Sequence, residues 1–168
     1  MSWLPKKLTL FNVKRSYMDL YNEFFRIIRE FNSRGLKYAI VGGIAMAFHE
    51  SPRFTRDIDI LVLPENIKKI TEITNSLGYL ESSSPWKFNN TNLILHRFIK
   101  TVAEDHLLLD ILAGNEDRYK EIIENSVSAE SHEGIIRIAG KNDLIWMKKL
   151  RNSDQDKVDI RKLENDKD

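Results

Sequence analysis

Near the start of the chain, apolar residues recur at alternating three- and four-residue steps. Tyr17, Leu20, Phe24, Ile27 and Phe31 form the stripe, with Asp19, Glu23, Arg26 and Glu30 between them. The spacing predicts an amphipathic helix over residues 14–31, stopped at Asn32-Ser-Arg-Gly35, with its aromatic face laid on a sheet. The period then changes. Tyr38-Ala-Ile-Val41 is a short apolar run, Gly42-Gly43 a tight turn, and Ile44-Ala-Met-Ala-Phe48 an almost wholly apolar helix that starts at once. Asp57-Ile-Asp-Ile-Leu-Val62 alternates, so a strand here puts Asp57 and Asp59 on one face and Ile58 and Ile60 on the other.

Pro64 and Glu65 open a helix with Ile67, Ile70, Ile73 and Leu77 on one side and Gly78 as its stop. Short strands follow at residues 79–81, 93–99 and 106–112. The last two are joined around Ala103-Glu-Asp105, and sequential pairing makes them antiparallel. Residues 117–125 predict a helix with Tyr119, Ile122 and Ile123 inward, residues 134–138 a strand, and residues 142–151 and 154–163 two closing helices before a frayed tail. The pattern is α+β: a mixed, mostly antiparallel sheet covered by helices, in a single domain over residues 1–168. Within it, residues 1–35 carry the first helix, 36–140 the sheet core and 141–168 the C-terminal helices.

Composition narrows the classes. At 168 residues the chain can bury a full core. It has no cysteine, so disulfides, Cys-based zinc sites and thiol chemistry are excluded. A formal net charge of +1 announces no global nucleic-acid field, so any such surface must be local. No apolar run reaches membrane-spanning length and Met1 to Phe11 holds no continuous apolar stretch, so the sequence reads as soluble and cytoplasmic, with no membrane partner.

Two stretches carry the chemistry. Glycines at 42 and 43 let backbone N–H groups approach an anion, and the helix starting there adds its positive end. The Asp57 and Asp59 carboxylates, side by side, are unfavourable unless a cation sits between them, and all-oxygen ligands favour a hard ion such as Mg²⁺. A phosphate cradle followed by a carboxylate pair points to metal-assisted phosphoryl or nucleotidyl transfer. Asp110 is the lone charge in Leu107-Leu-Leu-Asp-Ile-Leu112. It either supplies a third carboxylate beside the first two or ends its strand and caps the turn at Gly114-Asn115.

Val41-Gly42-Gly43, thirteen intervening residues and Asp57-Ile-Asp-Ile60 resemble the signature of the DNA polymerase beta-like nucleotidyltransferase superfamily. The form Arg53-x-Thr55-x-Asp57-Ile-Asp59 is most similar to the branch of the AbiE-type toxin enzymes and the small lincosamide or aminoglycoside nucleotidyltransferases. The resemblance implies the minimal nucleotidyltransferase fold and transfer of a nucleoside monophosphate from an NTP to an acceptor hydroxyl, with pyrophosphate released. It makes Asp57, Asp59 and Asp110 the catalytic and metal-binding acids of two Mg²⁺ ions (or Mn²⁺ in their place), with Asp110 taking the acceptor's proton. Gly42 and Gly43 hold the β- and γ-phosphates, and Arg53 occupies the family's arginine position on a phosphate. Thr55 fixes the turn and is counted with the nucleotide-binding residues. In the toxin branch a Lys-bearing helix precedes a polar-Asp-x-x-Asp-apolar helix, which places Lys148 at the triphosphate and gives Asp156 the task of orienting it or the neighbouring Arg. The toxin enzymes carry a larger helical region after the core where this sequence predicts two short helices, and the acceptor is read in such regions.

The acceptor class implied is RNA or tRNA, a protein or a small molecule, and an antitoxin protein is the implied partner. The alternative from another class is a catalytically silent module of the same fold that binds nucleotide, RNA or a protein. A phosphohydrolase using the same metals is a third. His49, His96, His106 and His132 show no ligand spacing and read as structural. Arg53 and Arg56 flank the carboxylates and either balance them or, Arg53 preferred, hold a phosphate, and Trp86 either packs or stacks on a base.

Overall fold

A computed structural model describes residues 18–165. Residues 14–17 of the expected first helix, the opening stretch Met1 to Phe11 and residues 166–168 of the expected tail lie outside the described residues. Helix α1 (Leu20–Ser33) begins where the Asp19 carboxylate accepts the Tyr21 N–H at 2.9 Å. It ends before Gly35, whose φ of +63° supplies the left-handed exit. Its stripe of Phe24, Ile27 and Phe31 is fully buried.

Strand β1 (Tyr38–Val41) runs directly into α2 (Gly42–Phe48), and β2 (Asp57–Val62) returns antiparallel to β1. A 3₁₀ turn at Pro64–Asn66 leads to α3 (Ile67–Ser76), then β3 (Leu80–Glu81) and β4 (Trp86–Lys87) pair along the outer edge of β5 (Ile94–Val102). Strand β6 (Asp105–Ala113) folds back on β5 through a two-residue turn and lies parallel to β2. After α4 (Asp117–Glu124), β7 (Val127–Ser131) and β8 (Gly134–Ile138) form a hairpin whose second strand joins β1 in parallel. Helices α5 (Lys141–Arg151) and α6 (Asp154–Asn165) close the described chain. The eight-stranded sheet has the order β3-β5-β6-β2-β1-β8-β7, with β4 also on β5. It is mixed and mostly antiparallel, the α+β architecture expected. No helix among the described residues is long and apolar enough to cross a membrane.

Two strands were not legible in the hydrophobic pattern. Val127-Ser-Ala-Glu-Ser131 holds one large apolar side chain and becomes a strand through its register with β8, not through burial. Strand β4 is an exposed edge of two residues, made by the backbone of β5.

A buried polar knot ties α1 to the sheet edge. Glu23 accepts the Tyr79 hydroxyl at 2.8 Å and the Lys100 ammonium at 3.0 Å on each oxygen. Glu23→Ala orphans both donors and is expected to cost about 1–3 kcal/mol, read from the urea unfolding midpoint. An unmoved midpoint would show that water replaces the carboxylate there.

Candidate active site

The centre of the sheet brings the three acids together. Strands β2 and β6 are parallel neighbours in a register that sets Asp59 directly beside Asp110. Asp57, two residues along β2, shares their face, while Ile58 and Ile60 are fully buried on the other. Asp110 is thus inside the sheet beside the pair, and the strand-end alternative does not hold.

The diglycine bend is shaped by this acid. Gly42 has a φ of +68°, and a Cβ built there would stand 2.1 Å from Asp59 Oδ2. A Cβ on Gly43 would stand 2.6 Å from Thr55 Cβ. One glycine makes room for Asp59 and the other for Thr55, whose buried hydroxyl accepts the Asp57 N–H at 3.4 Å. Gly42→Ala is therefore expected to cost about 1–3 kcal/mol in backbone strain and to push Asp59 out of place, lowering transfer at least about tenfold. Gly35→Ala is the control. Its φ is also positive but nothing lies within 4 Å, so it should cost about 1 kcal/mol and leave transfer unchanged. Equal losses of transfer in the two variants would remove Asp59 from the explanation.

One cleft is lined by Gly42, Asp57, Asp59 and Asp110, by Arg53 and Thr55 from the loop before β2, and by Lys148 and Asp156 from the last two helices. Gly43 lies behind it, against Thr55. Arg56 points elsewhere, to Asp105 at 3.1 Å.

The cations over the cleft are held by carboxylates behind them. Lys148 donates to Asp159 Oδ2 at 2.7 Å, with Asp156 3.9 Å away, and is itself buried. Arg53 Nε donates to the same Asp159 oxygen at 3.1 Å. Arg151 grips both oxygens of Asp156, through Nε at 2.6 Å and through Nη2, and its guanidinium lies 5.2 Å from the Phe88 ring. Ser153 and Asp156 cap the start of α6 reciprocally: the Asp156 N–H donates to Ser153 Oγ at 3.1 Å and the Ser153 N–H to Asp156 Oδ2 at 2.9 Å. Asp156 is bonded to the neighbouring arginine and Lys148 to Asp159, with both Lys148 and Asp156 lining the cleft.

Electrostatics separate the two groups of acids. Burial first, and then the charges of Asp110 and Asp57, push the Asp59 carboxyl up to about 7, and burial with Asp110 raises Asp57 in the same direction. Asp156 and Asp159 are also pushed up by burial, but the Arg151 and Ser153 bonds at the first, and the Lys148 and Gln155 bonds at the second, hold both below the usual carboxylate range. Arginines near Asp57 and Asp59 offset their rise only in part, whereas Asp156 and Asp159 are bonded directly to cations.

A divalent ion fits the first group by donor chemistry: carboxylate oxygens only, crowded enough to resist ionising together. Among the described residues, no three His, Cys, Asp or Glu side chains converge as a ready-made cage. Asp110 is the reason to look closer, because Arg97 Nε and Nη2 each donate to one of its oxygens at 2.7 Å. Arg97, Asp159 and Phe88 were given no role in the sequence reading, whereas Arg151 is the arginine it set beside Asp156. Arg97 was recoverable, since counting outward from the turn pairs it with Asp110, and Ser153-x-x-Asp156 is a readable capping box.

The mixed sheet thus sets an acidic trio beside a diglycine bend. Residues 15–165 match the family model described as "Nucleotidyltransferase of unknown function (DUF6036)", and the chain belongs to that family. No curated protein matches the chain in sequence. Among solved structures, lincomycin-bound lincosamide antibiotic adenylyltransferase LnuA shares 17% identity at a TM-score of 0.60, over 86% of this chain and 96% of that one. ANT(2″)-Ia in complex with adenylyl-2″-tobramycin shares 18% identity at a TM-score of 0.53, over 84% and 86%. A putative nucleotidyltransferase from Thermotoga maritima shares 16% at 0.55, over 90% and 98%. At such identities the likeness establishes a common fold.

Proposed function

We propose that this nucleotidyltransferase depends on a divalent cation, Mg²⁺ or Mn²⁺, and moves a nucleoside monophosphate from an NTP to an acceptor hydroxyl with release of pyrophosphate. The observation that carries the reading is the register of β2 against β6, which sets Asp57, Asp59 and Asp110 on one face of the cleft that Gly42 and Arg53 also line. Asp57 and Asp59 hold the cation, with Asp110 as the third acid of the set. When bound, the cation neutralises charge on the reacting phosphoryl oxygens.

The chain's own groups position the reactants. Gly42 and Gly43 seat the triphosphate beside Asp59. Arg53 and Arg151 keep guanidinium groups in the cleft, fixed from behind by Asp159 and Asp156, so little ordering is needed when phosphate binds. Lys148 adds charge through Asp159, and Thr55 holds the loop. An in-line displacement puts the entering oxygen opposite the leaving pyrophosphate. With the phosphates on the β1 side of β2, the acceptor approaches on the β6 and β5 side.

The LnuA and ANT(2″)-Ia structures hold an antibiotic and an adenylylated antibiotic, which puts small hydroxylated molecules beside tRNA, other RNA and protein as acceptors to test. The resemblance to toxin-type enzymes extends the proposal to a cytoplasmic setting and a neutralising protein partner. The test is transfer of α-phosphate label from each NTP, with Mg²⁺ or Mn²⁺, into total tRNA, protein and small-molecule pools, with pyrophosphate measured alongside. A labelled acceptor lost on chelation is the expected result. Nucleotide binding without any product would favour the silent module, and phosphate release without a labelled acceptor would favour hydrolysis.

A further inference from the structure

The third carboxylate already carries a fixed cation. Arg97 stands opposite Asp110 across the β5/β6 pair, and its fork meets both Asp110 oxygens at 2.7 Å. The guanidinium lies 5.5 Å from the Trp86 ring on β4, so it is held from the sheet edge as well as by the acid. Asp110, Asp57 and Asp59 all stabilise its charge. Among the described residues, no side-chain donor is bonded to the carboxylates of Asp57 or Asp59; Asp110 alone of the three is satisfied.

We infer that Arg97 takes the place of a second metal ion at Asp110, so that the site loads one divalent cation, on Asp57 and Asp59. The inference rests on the metal-dependent reading above. Its physical basis is geometry and charge. A bidentate guanidinium takes one lone pair on each Asp110 oxygen, and a dication placed against that carboxylate meets like-charge repulsion from it. Asp110 is already neutralised by its own guanidinium, so a second ion finds no unpaired acid there. An arginine stays protonated at any working pH, so this half of the site is charged before any metal arrives. Arg97 acts on the acceptor flank, as a positioning residue for Asp110 and a fixed charge beside it.

The test counts ions rather than turnover. Mn²⁺ is titrated into the protein saturated with a non-hydrolysable NTP analogue, and bound ions per chain are followed by electron paramagnetic resonance. Paired ions roughly 3.5–4 Å apart broaden each other's spectrum, and a lone ion does not. The expected result is one magnetically isolated ion per chain in the wild type and two coupled ions in Arg97→Gln. Two coupled ions in the wild type would overturn the inference and leave metal-dependent transfer standing. A count that stays at one in Arg97→Gln would overturn it equally, because the arginine would not be what excludes the second ion. Failure to bind any ion, with the analogue bound, would defeat the metal reading and this inference with it.

Discussion

Asp59→Asn is expected to lower nucleotidyl transfer by at least about a thousandfold while making the metal-free fold more stable at pH 8. The first effect follows from removing a charge that holds the cation, a loss of several kcal/mol at the transition state. The second follows from the position of Asp59 at the floor of the cleft, where its carboxyl is pushed up to about 7 by burial and by Asp110 and Asp57. In the unfolded chain the same group ionises near ~4. Between these values the folded protein keeps a proton that the unfolded chain has lost, so stability falls as pH rises and the penalty is complete above about 7. Asp57, raised for the same reasons, adds to the slope. Asparagine keeps the shape without the charge. After allowance for solvent reaching a half-buried group, the gain is on the order of 2 kcal/mol. Urea unfolding of both proteins in chelator, at pH 5 and pH 8, checks this through a difference that widens with pH. Adding Mg²⁺ should stabilise the wild type and leave the variant unmoved. A gap that stays constant from pH 5 to 8 would show that the Asp59 carboxyl is not raised in the fold, and a variant that still transfers would remove Asp59 from the metal site.

Lys148→Met is expected to cost about 3–5 kcal/mol of stability, the usual result of removing one partner from a buried ion pair. Asp159 and Asp156 are both fully buried. Without the ammonium, Asp159 keeps only Arg53 and Gln155. Methionine matches the stem of lysine, so the loss reports the charge rather than the packing. Adding Asp159→Leu to the variant removes the orphaned acid and should recover most of the loss, a coupling that a double-mutant cycle measures. Both acids sit below the usual carboxylate range, so the stability they supply is in full at neutral pH and is lost only as pH falls through those lowered values. If Lys148→Met unfolds like the wild type but binds NTP weakly, the lysine serves the triphosphate directly and the ion pair is incidental.

The local patterns in the chain determined the elements and the chemistry. The three-four stripe gave α1, the alternation Asp57-Ile-Asp-Ile60 gave two acids on one face, and the apolar run around Asp110 marked an acid that needed a partner. Each of these depends on neighbours a few residues away, so each is legible in sequence. The partner of Asp110 is not local in that sense. Arg97 reaches it only because a two-residue turn fixes the β5/β6 register, and Asp59 reaches it only because β6 enters the sheet parallel to β2. The reason for Gly42 is likewise tertiary: a Cβ would strike Asp59, seventeen positions later, which no backbone preference reveals. In sequence Lys148 is one of several basic residues on a helix, set at the triphosphate by resemblance alone. It became a counter-ion when α6 folded against α5, because two carboxylates entering a dry interface must find positive charge and the nearest was there. Sequence alone fixed which charges the protein carries and which faces they share; which charge neutralises which was decided by tertiary packing, since pairing energies depend on distances that only the folded sheet sets.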